Sequence, residues 1–401
     1  MHRVLPAALV LALVTLSVSC RDDSGLVAPA QPAAPRHMAS DVQDTIIPPQ
    51  GPYQMIDLGN LGGGVATAND VNDQGVIVGA SHDSSGVSHA FLWQKGVMTD
   101  LGTLGGKTSS ALRVNRHGDV AGVSQTTDGT SHVFLWQHGS MQDLGPVDGT
   151  AVFLNDQAEL AWTMGGHAQF WSRGVTLDLG TLGGPTSQAF GLSDLGAVAG
   201  LSSTGSRTDA FVWTPAGMQD IAPPEGAGML LVAGINHRGW VAGTFFDGRN
   251  VFNLLERAWV WDGAQLTVIP VLPHDSTGLP SDSMGVAAAI NDAGQVAAND
   301  LDLNFDRAHP VLWDRGVLVP ANPALQDYQN ATAMNSQGVV TGYEELGGLL
   351  IPRALVLDHG ASWDLGTIGG PFFSSKGNAI NRGGDVVGFA GTHAVLWRRI
   401  H

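Results

Sequence analysis

The chain has 401 residues, 54 of them glycine, a single cysteine and a formal net charge of −17. The acidic balance argues against nucleic acid or an anionic membrane surface as the main partner. One cysteine excludes an internal disulfide framework, so the fold must hold by strand pairing and packing alone.

The first 19 residues read as a secretion signal: a basic Arg3, an apolar stretch from Val4 to Leu16, then the small residues Ser17 and Ser19. Leu16-Ser17-Val18-Ser19-Cys20 resembles the lipobox of bacterial lipoproteins, although Ser17 stands where an aliphatic residue is usual. The resemblance implies lipidation of Cys20. Ordinary cleavage after Ser19 is the other reading. Arg21 after the cysteine, in place of Asp, implies the outer membrane. Residues 20–53 are rich in Pro, Ala, Ser and Asp and read as the anchor cysteine followed by a disordered tether. No later stretch is long and apolar enough to span a bilayer.

Residues 54–401 repeat one phrase. An Asn-x-x-Gly turn occurs at Asn72/Gly75, Asn115/Gly118, Asn236/Gly239, Asn291/Gly294, Asn335/Gly338 and Asn381/Gly384, with degenerate copies at Asn155/Ala158 and Ser193/Gly196. An aromatic mark recurs independently at Trp93, Trp136, Trp171, Trp213, Trp261, Trp313 and Trp397, with Leu357 filling the remaining place. Both tallies give eight units, spaced 38 to 55 residues apart. Within a unit, short runs rich in Val and aromatics are bounded by Gly, Asn, Asp and Ser, and no run keeps a 3.6-residue apolar period. In the second unit these runs are Ala111 to Asn115, Asp119 to Ser124, His132 to Trp136 and Met141 to Leu144. Four antiparallel strands at this spacing make one propeller blade. The expected fold is therefore all-β, a closed propeller of eight four-stranded blades. The spare strand around Met55-Ile56-Asp57 completes the last blade, which lacks a fourth strand of its own. An open solenoid is the alternative, but no capping repeats are visible.

The phrases His89-Ala90-Phe91-Leu92-Trp93 and Asp100-Leu101-Gly102-Thr103-Leu104-Gly105-Gly106 resemble the HAF-type repeat of extracellular bacterial proteins, and the resemblance covers almost all of residues 54–401. It implies secretion and a β-rich repeat fold, and it carries no catalytic residues. Arg257 and Arg353 depart from the pattern, standing where most units have His.

Each conspicuous motif has a structural reading. The Asn caps its turn and the Gly supplies a positive φ. The position four before each Trp holds His89, His132, His167, Asp209, Arg257, His309, Arg353 and His393. Ring symmetry spreads these too widely for one metal ion, so they read as polar residues bonding a neighbouring blade or turn. Leu101 to Thr108 lacks the first Gly of a phosphate loop and leads into a strand. Asp300, Asp302, Asn304 and Asp306 place oxygen ligands at alternate positions, as a calcium loop does. However, Phe305 stands where such a loop has Gly, and the same alternation fits a strand with one wet face. No cofactor other than that calcium is expected. No G-x-S-x-G or H-E-x-x-H occurs.

Loops on one face lengthen in units five to seven. They carry the candidate binding-face residues Asp247, Arg249, Asp300, Asp302, Asp306, Tyr343, Glu344 and Glu345. The expected function is a non-enzymatic binding module, lipid-anchored at the cell envelope, taking a glycan, a peptide or an envelope component. An enzyme acting on extracellular polysaccharide is the alternative.

Overall fold

A computed structural model describes residues 45–247, 255–271, 283–302, 308–321, 328–345 and 351–400. The described residues contain eight four-stranded antiparallel sheets and one two-stranded sheet, and no helix. Each sheet is one blade, with strands A to D in chain order. Blade one is Gly62–Val71, Ile77–Asp83, Ser88–Gln94 and Val97–Gly102. Blade two repeats it as Gly105–Val114, Val120–Thr126, Ser131–Gln137 and Ser140–Pro146. Strand A thus starts earlier than Ala111, because the Gly105-Gly106 pair lets the backbone lie against Thr126 and Gln125 where a Cβ would collide.

Ring closure is direct. Strands A to C of blade eight are Ser375–Ile380, Val386–Ala390 and His393–Arg399, and its fourth strand is Tyr53–Asp57. Met55 pairs with Trp397 and Ile56 with Leu396, in antiparallel register. This pairing satisfies backbone groups that would otherwise lie open on a sheet edge. The chain joins the ring before residue 54, however. Ile46–Ile47 pairs with Thr367–Ile368, and the Gln50 N–H donates to the Asp364 carbonyl at 2.7 Å. An isolated Ile pair among prolines carries no strand pattern, so this first contact is not legible in the sequence.

The core lies between blades. Eight apolar clusters among the described residues each straddle one blade interface. The cluster between blades eight and one joins Val387, Ala394 and Leu396 to Ala68, Ile77, Phe91 and Trp93. The repeating Trp is therefore interface packing, a large apolar side chain held between two sheets. Small residues set the close approach. A Cβ on Gly79, Gly122 or Gly200 would fall within 3 Å of the Phe91, Phe134 or Phe211 ring on the adjacent strand.

Candidate functional site

The turns between strands A and B build the one face that several blades share. In the first turn, Asn72 Oδ1 accepts from the N–H groups of Gln74 and Val76, each at 3.0 Å. The glycine that follows takes φ +73° in blade one and +86° in blade two, as such a turn requires. The Asn72 Nδ2 then donates to the Asn115 carbonyl of the next blade at 2.9 Å.

This second bond recurs around the ring. Asn115 donates to Asn155, Asn155 to Ser193, Asn236 to Asn291, Asn291 to Asn335, Asn335 to Asn381, and Asn381 back to Asn72. The step from Ser193 to Asn236 is missing because serine has no amide to donate. In seven of the eight turns the capping side chain also locks the turn to its neighbour, so the face is held as a hoop with one gap.

The residue after each capping Asn, and after Ser193 in blade four, stands on the inner rim: Asp73, Arg116, Asp156, Asp194, His237, Asp292, Ser336 and Arg382. The rim aspartates reach across interfaces. Asp156 accepts from the Arg116 N–H at 2.9 Å, Asp194 from Asp156 at 3.0 Å, Asp292 from His237 at 3.0 Å and Asp73 from Arg382 at 2.8 Å. Arg116 Nε lies 3.4 Å from the other Asp156 oxygen, and His237 Nδ1 lies 3.6 Å from Asp194.

A cavity of about 810 Å³ opens at the centre of this rim, lined by residues of seven blades. A cavity touched by that many blades lies on the ring axis. Its lining is mainly polar, with Asp73, Arg116, Asp156, Asp194, Asp292, Gln337 and Arg382, and Val71, Val114, Leu154, Met334 and Ile380 also contribute to it. A smaller recess of about 500 Å³, lined by Asp73, Gln337, Arg382, Gly383 and Arg399, adjoins it at blade eight. The charge is uneven. The rim of blades three to six carries Asp156, Asp194, His237 and Asp292, and the rim of blades seven to two carries Ser336, Arg382, Asp73 and Arg116. One half is therefore acidic and the other half holds both arginines. Below the rim, Asp70 accepts from the Val114 and Val71 N–H groups, at 3.0 and 2.9 Å. Burial pushes its carboxyl up, and Arg113 beside it opposes that shift.

The opposite side of each blade carries a different device. His89, His132, His167 and His393 each bond an aspartate on strand D of their own blade, namely Asp100, Asp143, Asp178 and Asp57, at 2.8 to 2.9 Å. The shared bond thus stays within the blade, and His167 also meets a neighbouring turn as expected, its Nε2 lying 3.3 Å from the Pro185 carbonyl. The aspartates are those of the Asp-Leu-Gly phrase, and each also accepts from the N–H of the following glycine. Arg353 makes the same clasp to Asp364 at 3.3 Å. In blade four Asp209 and Asp220 occupy the two places, and Arg207 supplies the cation at 2.8 Å from Asp209. Burial, then the Asp209 charge, raises Asp220.

The residues singled out on lengthened loops sit differently. Asp300 belongs to strand B of blade six, Val296–Asp302, and Tyr343, Glu344 and Glu345 to strand B of blade seven, Val340–Glu345. Asp300 is 1% exposed and Glu344 is 7% exposed, so neither is on an open loop. Their partners across the sheet are His309 and Arg353, whereas blades one and two pair Ser81 with His89 and Ser124 with His132. Each acid thus faces a basic residue across the sheet, a pairing that suits a strand rather than a loop. Glu344 also accepts from Gln329 Nε2 at 3.0 Å. The Lys376 ammonium lies 5.5 Å from the centroid of the Tyr343 ring. Asp247 and Asp302 end their strands. Arg249, Asn304, Asp306 and Cys20 lie outside the described residues. Among the described residues no group of three or more His, Cys, Asp or Glu is placed to hold a metal ion. In strand C of blade five, burial pushes the Glu256 carboxyl up to about 6.

The chain matches no protein-family model and no curated protein. Solved structures resemble it in shape at low identity. The β-propeller domain of the Trilobed protease from Pyrococcus furiosus is 11% identical, with a TM-score of 0.49 over 75% of this chain and 95% of that one. Dipeptidyl peptidase 4 from Porphyromonas gingivalis is 10% identical, with a TM-score of 0.51 over 84% of this chain and 55% of that one. An acylaminoacyl peptidase from Pyrococcus horikoshii is 11% identical, with a TM-score of 0.46 over 75% of this chain and 52% of that one. This chain thus spans about half the length of each of those two peptidases. At such identity the likeness to dipeptidyl peptidase 4 concerns the propeller fold alone.

Proposed function

We propose that this propeller is a non-enzymatic binding module, lipid-anchored at the cell envelope, and that it takes its ligand in the axial basin on the face of the A–B turns. One observation carries the reading: an open, mainly polar cavity of about 810 Å³ lined by residues of seven blades. Convergent, fixed polar groups of this kind set the orientation of a ligand and its specificity. The Asn hoop holds those groups in place before any ligand arrives, which limits the ordering loss on binding. Among glycan, peptide and envelope component, the uneven rim favours a peptide that carries both charges, its cation toward Asp156, Asp194 and Asp292 and its anion toward Arg116 and Arg382.

The test is an array of short peptides and envelope glycans probed with the soluble chain and with Arg116→Ala/Arg382→Ala. Both arginines cap the hoop through their backbone N–H, so the substitutions leave the turns intact. Peptides bearing both charges should bind, and the double variant should lose at least tenfold in affinity. Binding that ignores the rim variants, or that disappears only when Tyr343 or Glu345 is changed, removes the basin from this role.

A further inference from the structure

Blade eight departs from the other seven in two places that meet beside the basin. In the other seven A–B turns the second residue after the cap carries a side chain, with Gln74, Gln157 and Gln337 among them. Blade eight has Gly383 there. Its φ lies outside the left-handed region, so the turn does not require glycine, and a Cβ on it would meet only the Asn381 Oδ1, at 3.3 Å. The other departure comes from ring closure. In blades one, two, three, six and seven, the residue two places after the repeating Trp or Leu357 turns the chain back toward strand D. These are Lys95, His138, Arg173, Arg315 and His359, with φ between +48° and +52°. Blade eight takes its fourth strand from Tyr53–Asp57, so strand C runs on and Arg399 stays in it, paired with Tyr53. The Arg399 guanidinium donates to Asp358 at 2.6 Å, and its Cδ stands 2.9 Å from a Cβ built on Gly384, against the turn. Gly383, where a side chain is missing, and Arg399, which is gained, both line the recess of about 500 Å³ beside Asp73, Gln337 and Arg382.

We infer that this recess is the subsite for the C-terminal residue of a bound peptide, with Arg382 taking its terminal carboxylate. The inference rests on the peptide-binding reading of the basin and says which end of the peptide lies at blade eight. Among the described residues the Arg382 guanidinium has no acid partner, whereas Arg116 lies 3.4 Å from Asp156 and His237 lies 3.6 Å from Asp194. Arg382 is thus the rim cation left to receive an anion, and a guanidinium fork matches a planar carboxylate with two parallel bonds. Asp73 stands next to it. One Asp73 oxygen accepts from the Arg382 N–H at 2.8 Å, which leaves the other for a donor on the ligand. The last residue of a peptide carries both groups on one backbone unit, a carboxylate for Arg382 and an N–H for Asp73. A phosphate dianion has no such donor and would meet the Asp73 charge at close range. An amidated end brings no charge to Arg382.

The test compares two matched arrays of short peptides, each peptide beginning with lysine and otherwise varied, one array ending in free acids and the other in amides. The wild-type chain should bind the acids about tenfold more tightly than the matching amides. Gly383→Gln places in the recess the side chain that three other turns carry, and should bring acids and amides within about twofold of each other. Arg382→Ala should do the same, and it keeps the test decisive if Gly383→Gln disturbs the turn. Arg116→Ala should weaken both arrays alike and keep the preference for acids. Acids and amides bound alike by the wild type overturn the recess assignment while leaving the basin reading in place, and so does a preference that survives both Gly383→Gln and Arg382→Ala. Binding that follows an internal Asp or Glu, whichever way the peptide ends, overturns it too. If neither array binds, the basin reading itself falls, and this inference with it.

Discussion

Ala158 holds a backbone conformation that the other turns assign to glycine. Its φ is +58°, while the glycines at the same place in the other seven turns lie between +73° and +86°. A Cβ in that region costs about 1–2 kcal/mol, partly offset by the greater freedom glycine has in the unfolded chain. Ala158→Gly should therefore raise stability by up to about 1 kcal/mol, read as a higher urea midpoint with an unchanged slope. His167 answers to pH. Its bond to Asp178 raises the imidazole above the ordinary 6.5. A histidine raised on folding contributes fully below the unfolded value, and its contribution fades as pH climbs through the raised one. The pair is largely in water, so its effect on stability is small. In proton NMR the His167 midpoint should lie above 6.5 and fall back in Asp178→Asn. A midpoint that Asp178→Asn does not move would show that the clasp is not felt in solution.

The A–B turn is the element that repeats most faithfully, and its defect is the most informative copy. Seven of the eight steps around the hoop are side-chain bonds to the next blade, and Ser193 breaks the eighth. Ser193→Asn supplies the missing amide opposite the Asn236 carbonyl. A hydrogen bond of this kind contributes about 1 kcal/mol net, so the variant should unfold at higher urea by about that amount. No gain, or a loss, would mean that the hoop is not closed by the amide alone. The turns were legible in the sequence as capped turns, because Asn and Gly at fixed spacing have a local mechanism. Their bonds across blades were not, since they join residues 38 to 55 positions apart, and 309 apart where Asn381 meets Asn72. The His–Asp clasps were hidden for a related reason. The spacing of eleven between His89 and Asp100, or His132 and Asp143, is regular, but it means a contact only once strands C and D are known to pair. Asp300 and Glu344 were misplaced because an acid suggests solvent until its basic partner across the sheet is seen.

At the scale of the molecule, two independent marks agreed on eight units, which made the blade count readable from Asn72 and Trp93 onward. The basin was not readable, because Asp73, Arg116 and Arg382 are ordinary turn residues until the ring brings them around one axis. That convergence depends on closure. Tyr53–Asp57 must pair with His393–Arg399 across more than 300 residues of chain, a long-range contact of the kind that slows folding and that local sequence cannot specify. Gln54 and Arg398 are facing partners in that pairing, and both are exposed. The most direct test is the double variant Gln54→Cys/Arg398→Cys in a Cys20→Ser chain, oxidised at low protein concentration and mapped by mass spectrometry after proteolysis. A closed ring predicts one intramolecular disulfide joining the peptides that carry positions 54 and 398, with the unfolding midpoint raised. Free thiols throughout, or only disulfide-linked dimers, would mean that the first strand does not complete the last blade.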